Sequence, residues 1–147
     1  MAYQHILVPV DGSSTSLAAV KQAAEIAKKF GSKVTALCVL AVDPFIGVEF
    51  IDTSEITKDY FAKAKAGAQE TLNNAKALFA QEGVEIETKI SEGQVIHKEI
   101  IAAAEEIKAD LVVIGSHGRK GIKKLILGSV AQGVLGESHF PVLIIKQ

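Results

Sequence analysis

The residues best suited to chemistry lie between Gly115 and Ser129, in a segment reading Gly115-Ser116-His117-Gly118-Arg119-Lys120-Gly121-Ile122-Lys123-Lys124-Leu125-Ile126-Leu127-Gly128-Ser129. Glycines let a backbone approach an anion closely and aim successive N–H groups at it. Ser129 opens a helical pattern, and the first N–H groups and positive dipole end of a helix favour an anion as well. Arg119, Lys120, Lys123 and Lys124 place four positive charges within six residues, and removing them would take the net charge of the chain from −1 to −5. Arg119 is the only arginine in the sequence. The chemistry implied is the binding of a small polyanion by backbone and cations together. No Gly-Lys-Ser/Thr ends the segment, so it is not a Walker A loop, and its spacing is not the G-x-G-x-x-G dinucleotide fingerprint.

Other chemically capable residues carry less. Asp11, after a first apolar run, is placed either to bind Mg²⁺ or to cap the turn that follows it. His117 is within reach of a phosphate bound by the glycine segment, whereas His5, His97 and His139 lack metal-ligand spacing and read as surface or packing residues. Cys38 sits inside an apolar run and reads as a small buried hydrophobe rather than a reactive thiol.

These positions need elements to hold them. Short apolar runs bounded by turn residues predict strands at Ile6–Val10, Val34–Leu40, Val84–Ile90, Leu111–Ile114 and Val142–Ile145. Several are continuously apolar rather than alternating, as in a parallel sheet buried on both faces. Helical patterns fill the intervals. Leu17, Val20, Ala24 and Ala27 form a stripe over Ser14–Phe30, with Ser13 or Ser14 as N-cap and Gly31 as the stop. Phe61, Ala64, Ala68, Leu72, Ala75 and Phe79 do the same over Thr57–Gln81, and Ile96, Ile100, Ala103, Ala104 and Ile107 over Gln94–Ile107. A short fourth helix runs from Ser129 to Ser138, weakened by Gly133 and Gly136. Ser91-Glu92-Gly93 reads as a loop and helix start, and Ala41–Ile56, acidic and without a basic residue, as a solvated loop, a flap or a partner surface. Strand and helix alternate throughout, which gives a single three-layer α/β domain over residues 1–147 with a mostly parallel sheet. In such sheets ligands bind beyond the carboxyl ends of the strands, where the winding reverses.

Composition narrows the function classes. With 16 basic against 17 acidic residues, the chain lacks the broad positive field that nucleic-acid or membrane-surface binding uses, so neither partner is expected. Aromatic residues are 5% of the chain and Trp is absent, a poor basis for stacking a flavin or single-stranded bases. One cysteine permits no internal disulfide, and the N-terminus has neither the basic region nor the cleavage site of a signal peptide. A cytoplasmic setting is expected.

Gly115-x2-Gly118-x9-Gly128-Ser129 is similar to the G-x2-G-x9-G-Ser/Thr signature of the ATP-binding branch of the universal stress protein family. The likeness takes in the first strand and turn, Ile6 to Ser13, and the closing strand after His139-Phe140-Pro141, and so spans essentially the whole chain. The resemblance implies a Rossmann-like three-layer α/β/α fold with five strands ordered 3-2-1-4-5 and a nucleotide across the split between strands one and four. ATP, or ADP or AMP, is the implied cofactor, with Mg²⁺. Pro9, Val10 and Asp11 would border the site, Asp11 facing the ribose or a phosphate-bound metal, and adenine would lie near the backbone of Val39. Gly115, Ser116, His117, Gly118 and Arg119 would wrap the ribose and inner phosphates, and Gly128, Ser129 and Val130 would hold the outer ones. The family also implies a homodimer formed by pairing the last strand, Val142–Ile145.

The implied function is that of an adenine-nucleotide-binding regulator acting through dimerisation or a partner in a stress response. The alternative is a slow Mg²⁺-dependent ATPase or a phosphate- or adenylate-transferring enzyme on the same site. Phosphoryl transfer needs a positioned nucleophile and a metal held by carboxylates. No carboxylate lies between Gly115 and Ser129, which leaves Asp11 as the one well-placed acid and favours binding over fast catalysis. A receiver-like phosphoacceptor would need an acidic cluster after the first strand and an Asp after the third, and the sequence has neither.

Overall fold

The central strand is built from Ile6, Leu7 and Val8, all with no solvent exposure, and the rest of the chain is arranged to cover them. A computed structural model describes residues 3–41, 54–117 and 127–146. In chain order these form β1 (His5–Pro9), α1 (Ser14–Phe30), β2 (Lys33–Ala41), α2 (Ser54–Gln81), β3 (Glu87–Gly93), α3 (Ile96–Glu106), β4 (Leu111–Gly115), α4 (Ser129–Glu137) and β5 (Val142–Ile145). The five strands form one sheet ordered β3-β2-β1-β4-β5, every neighbouring pair parallel. This is the topology that the resemblance implies.

Alternation along the strands divides the core into two layers. Ile6, Val8, Ala36, Cys38 and Val113 point to one face, where Ala19, Val20, Ala23 and Ala24 of α1 and Leu72, Ala75 and Phe79 of α2 cover them. Leu7, Leu37, Val112 and Ile114 point to the other, under Ile100, Ala103 and Ala104 of α3 and Val134 of α4. Cys38 is buried, as its place in an apolar run requires.

Several sequence expectations shift: β1 is His5–Pro9 rather than Ile6–Val10, and α2 starts at Ser54, inside the connection expected to run to Ile56. β3 runs Glu87–Gly93 rather than Val84–Ile90, so Ser91, Glu92 and Gly93 are strand and not a loop and helix start. Val84 and Ile86 are buried, but the pairing ladder with β2 continues to Ala41↔Gly93 and carries the strand past its apolar part. An edge strand needs one good neighbour for its backbone bonds, not apolar side chains throughout. α3 begins at Ile96, two residues late, behind Val95, which makes no side-chain cap. Leu17 is 39% exposed, because the buried side of α1 is turned to Thr15, Ser16, Ala19, Val20, Ala23, Ala24 and Ala27. His5 packs within the sheet, its Nε2 2.8 Å from the Thr35 hydroxyl.

The Asp110 carboxylate accepts hydrogen bonds from the backbone N–H groups of Gln4 (2.8 Å) and His5 (3.0 Å) and so ties the start of β1 to the start of β4. Burial raises the Asp110 carboxyl, and the bonds from Gln4, His5 and nearby backbone outweigh it, leaving the group below its ordinary value. A depressed folded-state value means that its stabilisation is present above the unfolded carboxylate value and fades as pH falls through the folded one. Asp110→Ala is expected to cost about 1 kcal/mol at neutral pH. Urea unfolding should show the gap from the parent chain closing at acid pH, and a constant gap would exclude an ionised-carboxylate tie.

Candidate functional site

The turn after β1 is held by its own side chains. Val10 N–H donates to Leu37 O at 2.8 Å, extending the pairing with β2 by one residue past Pro9. Asp11 then folds back, its Oδ1 accepting from Ser13 N–H at 2.8 Å while its own N–H donates to Ser16 Oγ at 3.2 Å. Gly12 takes the left-handed conformation (φ 83°) that the turn needs. Ser13, at φ −73° and ψ 162°, is the N-cap of α1, its Oγ accepting from Ser16 N–H at 3.2 Å. Of the two roles open to Asp11 in the sequence, capping the turn is visible here. Its second carboxylate oxygen has no hydrogen-bond partner among the described residues.

The turn after β4 lies against the first turn of α1. A Cβ on Gly115 would stand 2.8 Å from the Thr15 carbonyl carbon and 2.9 Å from its Cβ and oxygen, so only glycine fits. Ser116 is buried, its N–H donating to Ile145 O at 2.8 Å and its carbonyl accepting from Gly128 N–H at 2.6 Å. Ser116 Oγ lies 3.1 Å from His117 Nδ1, and the Thr15 hydroxyl donates to His117 O. The glycine turn is thereby joined to both helices that flank it. α1 is tied through Thr15, and α4 through Gly128.

The two helix starts differ in a way that matters for an anion. α1 carries its own serine cap, but the N-cap of α4 is Gly128, which has no side chain to offer. Gly128 O accepts from Gln132 N–H at 3.0 Å, and the Gln132 amide donates to Leu127 O at 2.8 Å. Among the described residues the N–H groups of the first turn, from Ser129 onward, therefore have no side-chain cap, and such groups suit an anionic ligand.

Among the residues singled out in the sequence, Pro9, Val10 and Asp11 lie at the carboxyl end of β1 and Gly115, Ser116 and His117 at that of β4. Gly128, Ser129 and Val130 start α4. Val39 is half-buried two residues beyond Leu37, the β2 partner of Pro9, so it too is at the carboxyl edge. β1 separates Val39 from β4, which puts it about 10 Å across the sheet from the glycine turn. Gly118 and Arg119 lie outside the described residues, as do Lys120, Lys123, Lys124 and most of the Ala41–Ile56 connection. A cavity of about 400 Å³ opens beside the same β1 turn, lined by Val10, Gly12, Ser16, Leu17, Asn74 and Leu78 among others. It lies between α1 and α2 and touches neither Gly115–His117 nor Gly128–Val130.

A family model described as the universal stress protein family matches residues 2–146. The chain belongs to that family. A universal stress protein of Methanocaldococcus jannaschii is 40% identical over 145 residues, covering 99% of this chain and 83% of its own length. A universal stress protein solved in complex with cAMP is 30% identical with a TM-score of 0.67, the alignment covering 99% of this chain and 98% of that one. The Archaeoglobus fulgidus universal stress protein solved in complex with dAMP is 26% identical with a TM-score of 0.73, covering 99% and 100%.

In this universal stress protein, sequence reasoning overlooked Thr15, Ser16 and Ile145, which anchor the two turns. Thr15 and Ser16 are buried polar residues in a helical first turn, and their signal was their polarity on the face of α1 that meets the sheet. Ile145 was read as strand, and nothing in the sequence marks it as an anchor, because it contributes a carbonyl. Among the described residues, no group of three His, Cys, Asp or Glu side chains could hold a metal ion, and no helix is long and apolar enough to cross a membrane.

The Gly115 contact is with backbone, which cannot swing aside. Gly115→Ala is expected to destabilise the chain by about 1–3 kcal/mol. Gly67→Ala, in α2 with open space around the site, should instead stabilise it by about 0.5–1 kcal/mol. Urea denaturation of the two variants showing the same sign would remove the argument for close approach at Gly115.

Proposed function

We propose that this chain binds an adenine nucleotide, ATP foremost, across the carboxyl ends of β2, β1 and β4, and acts as a nucleotide-dependent regulator. The observation that carries this reading is the N-terminus of α4, without a side-chain cap and fastened to the glycine turn by the Gly128–Ser116 bond. Two relatives with nucleotide complexes, one of cAMP and one of dAMP, support an adenine nucleotide as the anion. In this reading Val39 lies along the base, and Pro9, Val10 and Asp11 border the sugar. Gly115, Ser116, His117, Gly118 and Arg119 enclose the ribose and inner phosphates, and Gly128, Ser129 and Val130 receive the outer phosphates. With few aromatic residues in the chain, the base is held by backbone and aliphatic side chains rather than by ring stacking.

Mg²⁺ fits this site only together with the nucleotide. Asp11 has one carboxylate oxygen engaged in the turn and a second available, and Mg²⁺ ordinarily takes one or two carboxylates plus substrate phosphates. The ion supplies charge neutralisation of the phosphates, while the protein holds them through N–H groups and the Ser129 hydroxyl. A single carboxylate already used as a cap is a weak basis for rapid phosphoryl transfer, so we assign binding with slow turnover at most. Phosphate release no faster than in Asp11→Ala would leave binding alone.

Binding of Mg-ATP to the folded chain is expected to add about 2.7 kcal/mol at a hundredfold excess over Kd. For a chain of this length that raises Tm by roughly 5–10 °C. Ser129→Glu sets a carboxylate where the phosphates would lie, at a helix end that tolerates an acid, so the variant should fold normally and lose the shift. No shift in the parent chain with millimolar Mg-ATP overturns the reading.

We further propose a homodimer through the edge of β5. β5 pairs with β4 alone and its four residues, Val142 to Ile145, are all apolar, with Leu143 36% exposed. The opposite edge, β3, carries Glu87, Lys89 and Glu92, charges of the kind that guard an edge against pairing. Light scattering should report a dimer for the parent chain and a monomer for Leu143→Lys, and a parent monomer at working concentrations would exclude this pairing.

A further inference from the structure

α4 is held to the rest of the fold by little. It has nine residues, two of them glycines, and only Ala131 and Val134 are buried. A helix this short is marginal on its own, and glycine weakens it further. Its N-cap offers no side-chain bond, so its orientation depends on what it touches laterally.

The lateral contact is specific. Ser129, Gly133 and Glu137 recur every four residues, on one side of α4. His97, in the first turn of α3, lies over Gly133 so closely that a Cβ there would overlap its ring. The same ring reaches Glu137, with Nε2 paired to Oε2. Glu137 is the last residue of α4, the end at which the helix dipole disfavours a carboxylate. The His97 ring nitrogen that faces it offsets that cost. The opposite end of the same side of α4 is Ser129.

We propose that His97 and Glu137, with Gly133 beneath the ring, are positioning residues for the phosphate site. They fix α4 so that its first N–H groups point at the outer phosphates, and thereby set the preference for a nucleoside triphosphate over the monophosphate. The proposal rests on the nucleotide reading above and specifies which residues tune it. It concerns orientation rather than contact, since Glu137 is at the end of α4 opposite Ser129 and His97 is on α3. Their side chains are 24% and 54% exposed, so a modest effect is expected.

The test is calorimetric titration of the full chain with Mg-ATP and, separately, with AMP. His97→Ala and Glu137→Ala are each expected to weaken ATP by roughly five-fold, the scale of one partly exposed pair. AMP affinity should be unchanged, and His97→Gln, which can still donate to Glu137, should recover most of the ATP affinity. An equal loss for both nucleotides, or no loss for ATP, overturns the proposal while leaving nucleotide binding in place. A parent chain that binds neither nucleotide overturns the phosphate role together with the reading it rests on. The contact itself is read without ligand by thermal unfolding. Gly133→Ala should lower Tm in the parent chain, where it meets the ring, and raise it in His97→Ala, where the added methyl has room and favours helix. The same sign in both backgrounds would show that the ring does not hold α4 through Gly133.

Discussion

Gly115 against the backbone of Thr15 is the contact on which the site depends. β4 ends where α1 begins, and the two chains come so close that no side chain can stand between them. The carbonyl after that point accepts a bond from the Thr15 hydroxyl, and Ser116 is driven into the interior, where its backbone reaches Ile145 on one side and Gly128 on the other. Four separate segments, α1, β4, the start of α4 and the end of β5, therefore share one small junction. None of its bonds requires an unusual residue except the glycine.

Around that junction the polar groups are satisfied unequally. The β1 turn closes on itself, with Asp11, Ser13 and Ser16 using one another's donors and acceptors. The start of α4 is left with a glycine cap and, among the described residues, no side chain turned back on it. Backbone donors at a helix end seek water, a side chain or a ligand. Among the described residues this helix start of the site has no side-chain cap, and such an end suits an anion. The cations of residues 119–124 belong to the same stretch of chain and add long-range attraction, while the rest of the chain is net acidic.

The same economy applies to the sheet edges and to α4. β3 is polar along its free edge and β5 is apolar, so the two ends of one sheet present different surfaces. α4 is short, glycine-rich and lightly buried, and a histidine from the neighbouring helix lies across it. Gly133, which as a helix former is a defect, is the residue that admits the ring.

Much of this was legible in the residues. The continuous apolar runs and the alanine-rich stripes determined a buried parallel sheet between helices, because burial on both faces leaves no room for alternation. α1 and β5 have the bounds that capping residues and hydropathy alone define. Glycine spacing and clustered charge singled out residues 115–129 as the candidate anion loop. Other features depended on partners distant in sequence. β3 extends through Ser91 to Gly93 because β2 offers hydrogen bonds there, which side-chain polarity does not reveal. Leu17 faces outward because α1 turns its smaller residues to the sheet and to Gly115. The bond to Ile145 O and the His97–Glu137 pair join residues that no local pattern connects. Periodicity and turn chemistry act over a few residues, so the sequence determined the elements and singled out one loop as the candidate site. Which backbone groups close the site, and what holds its helix in place, are long-range contacts that only the tertiary structure decided.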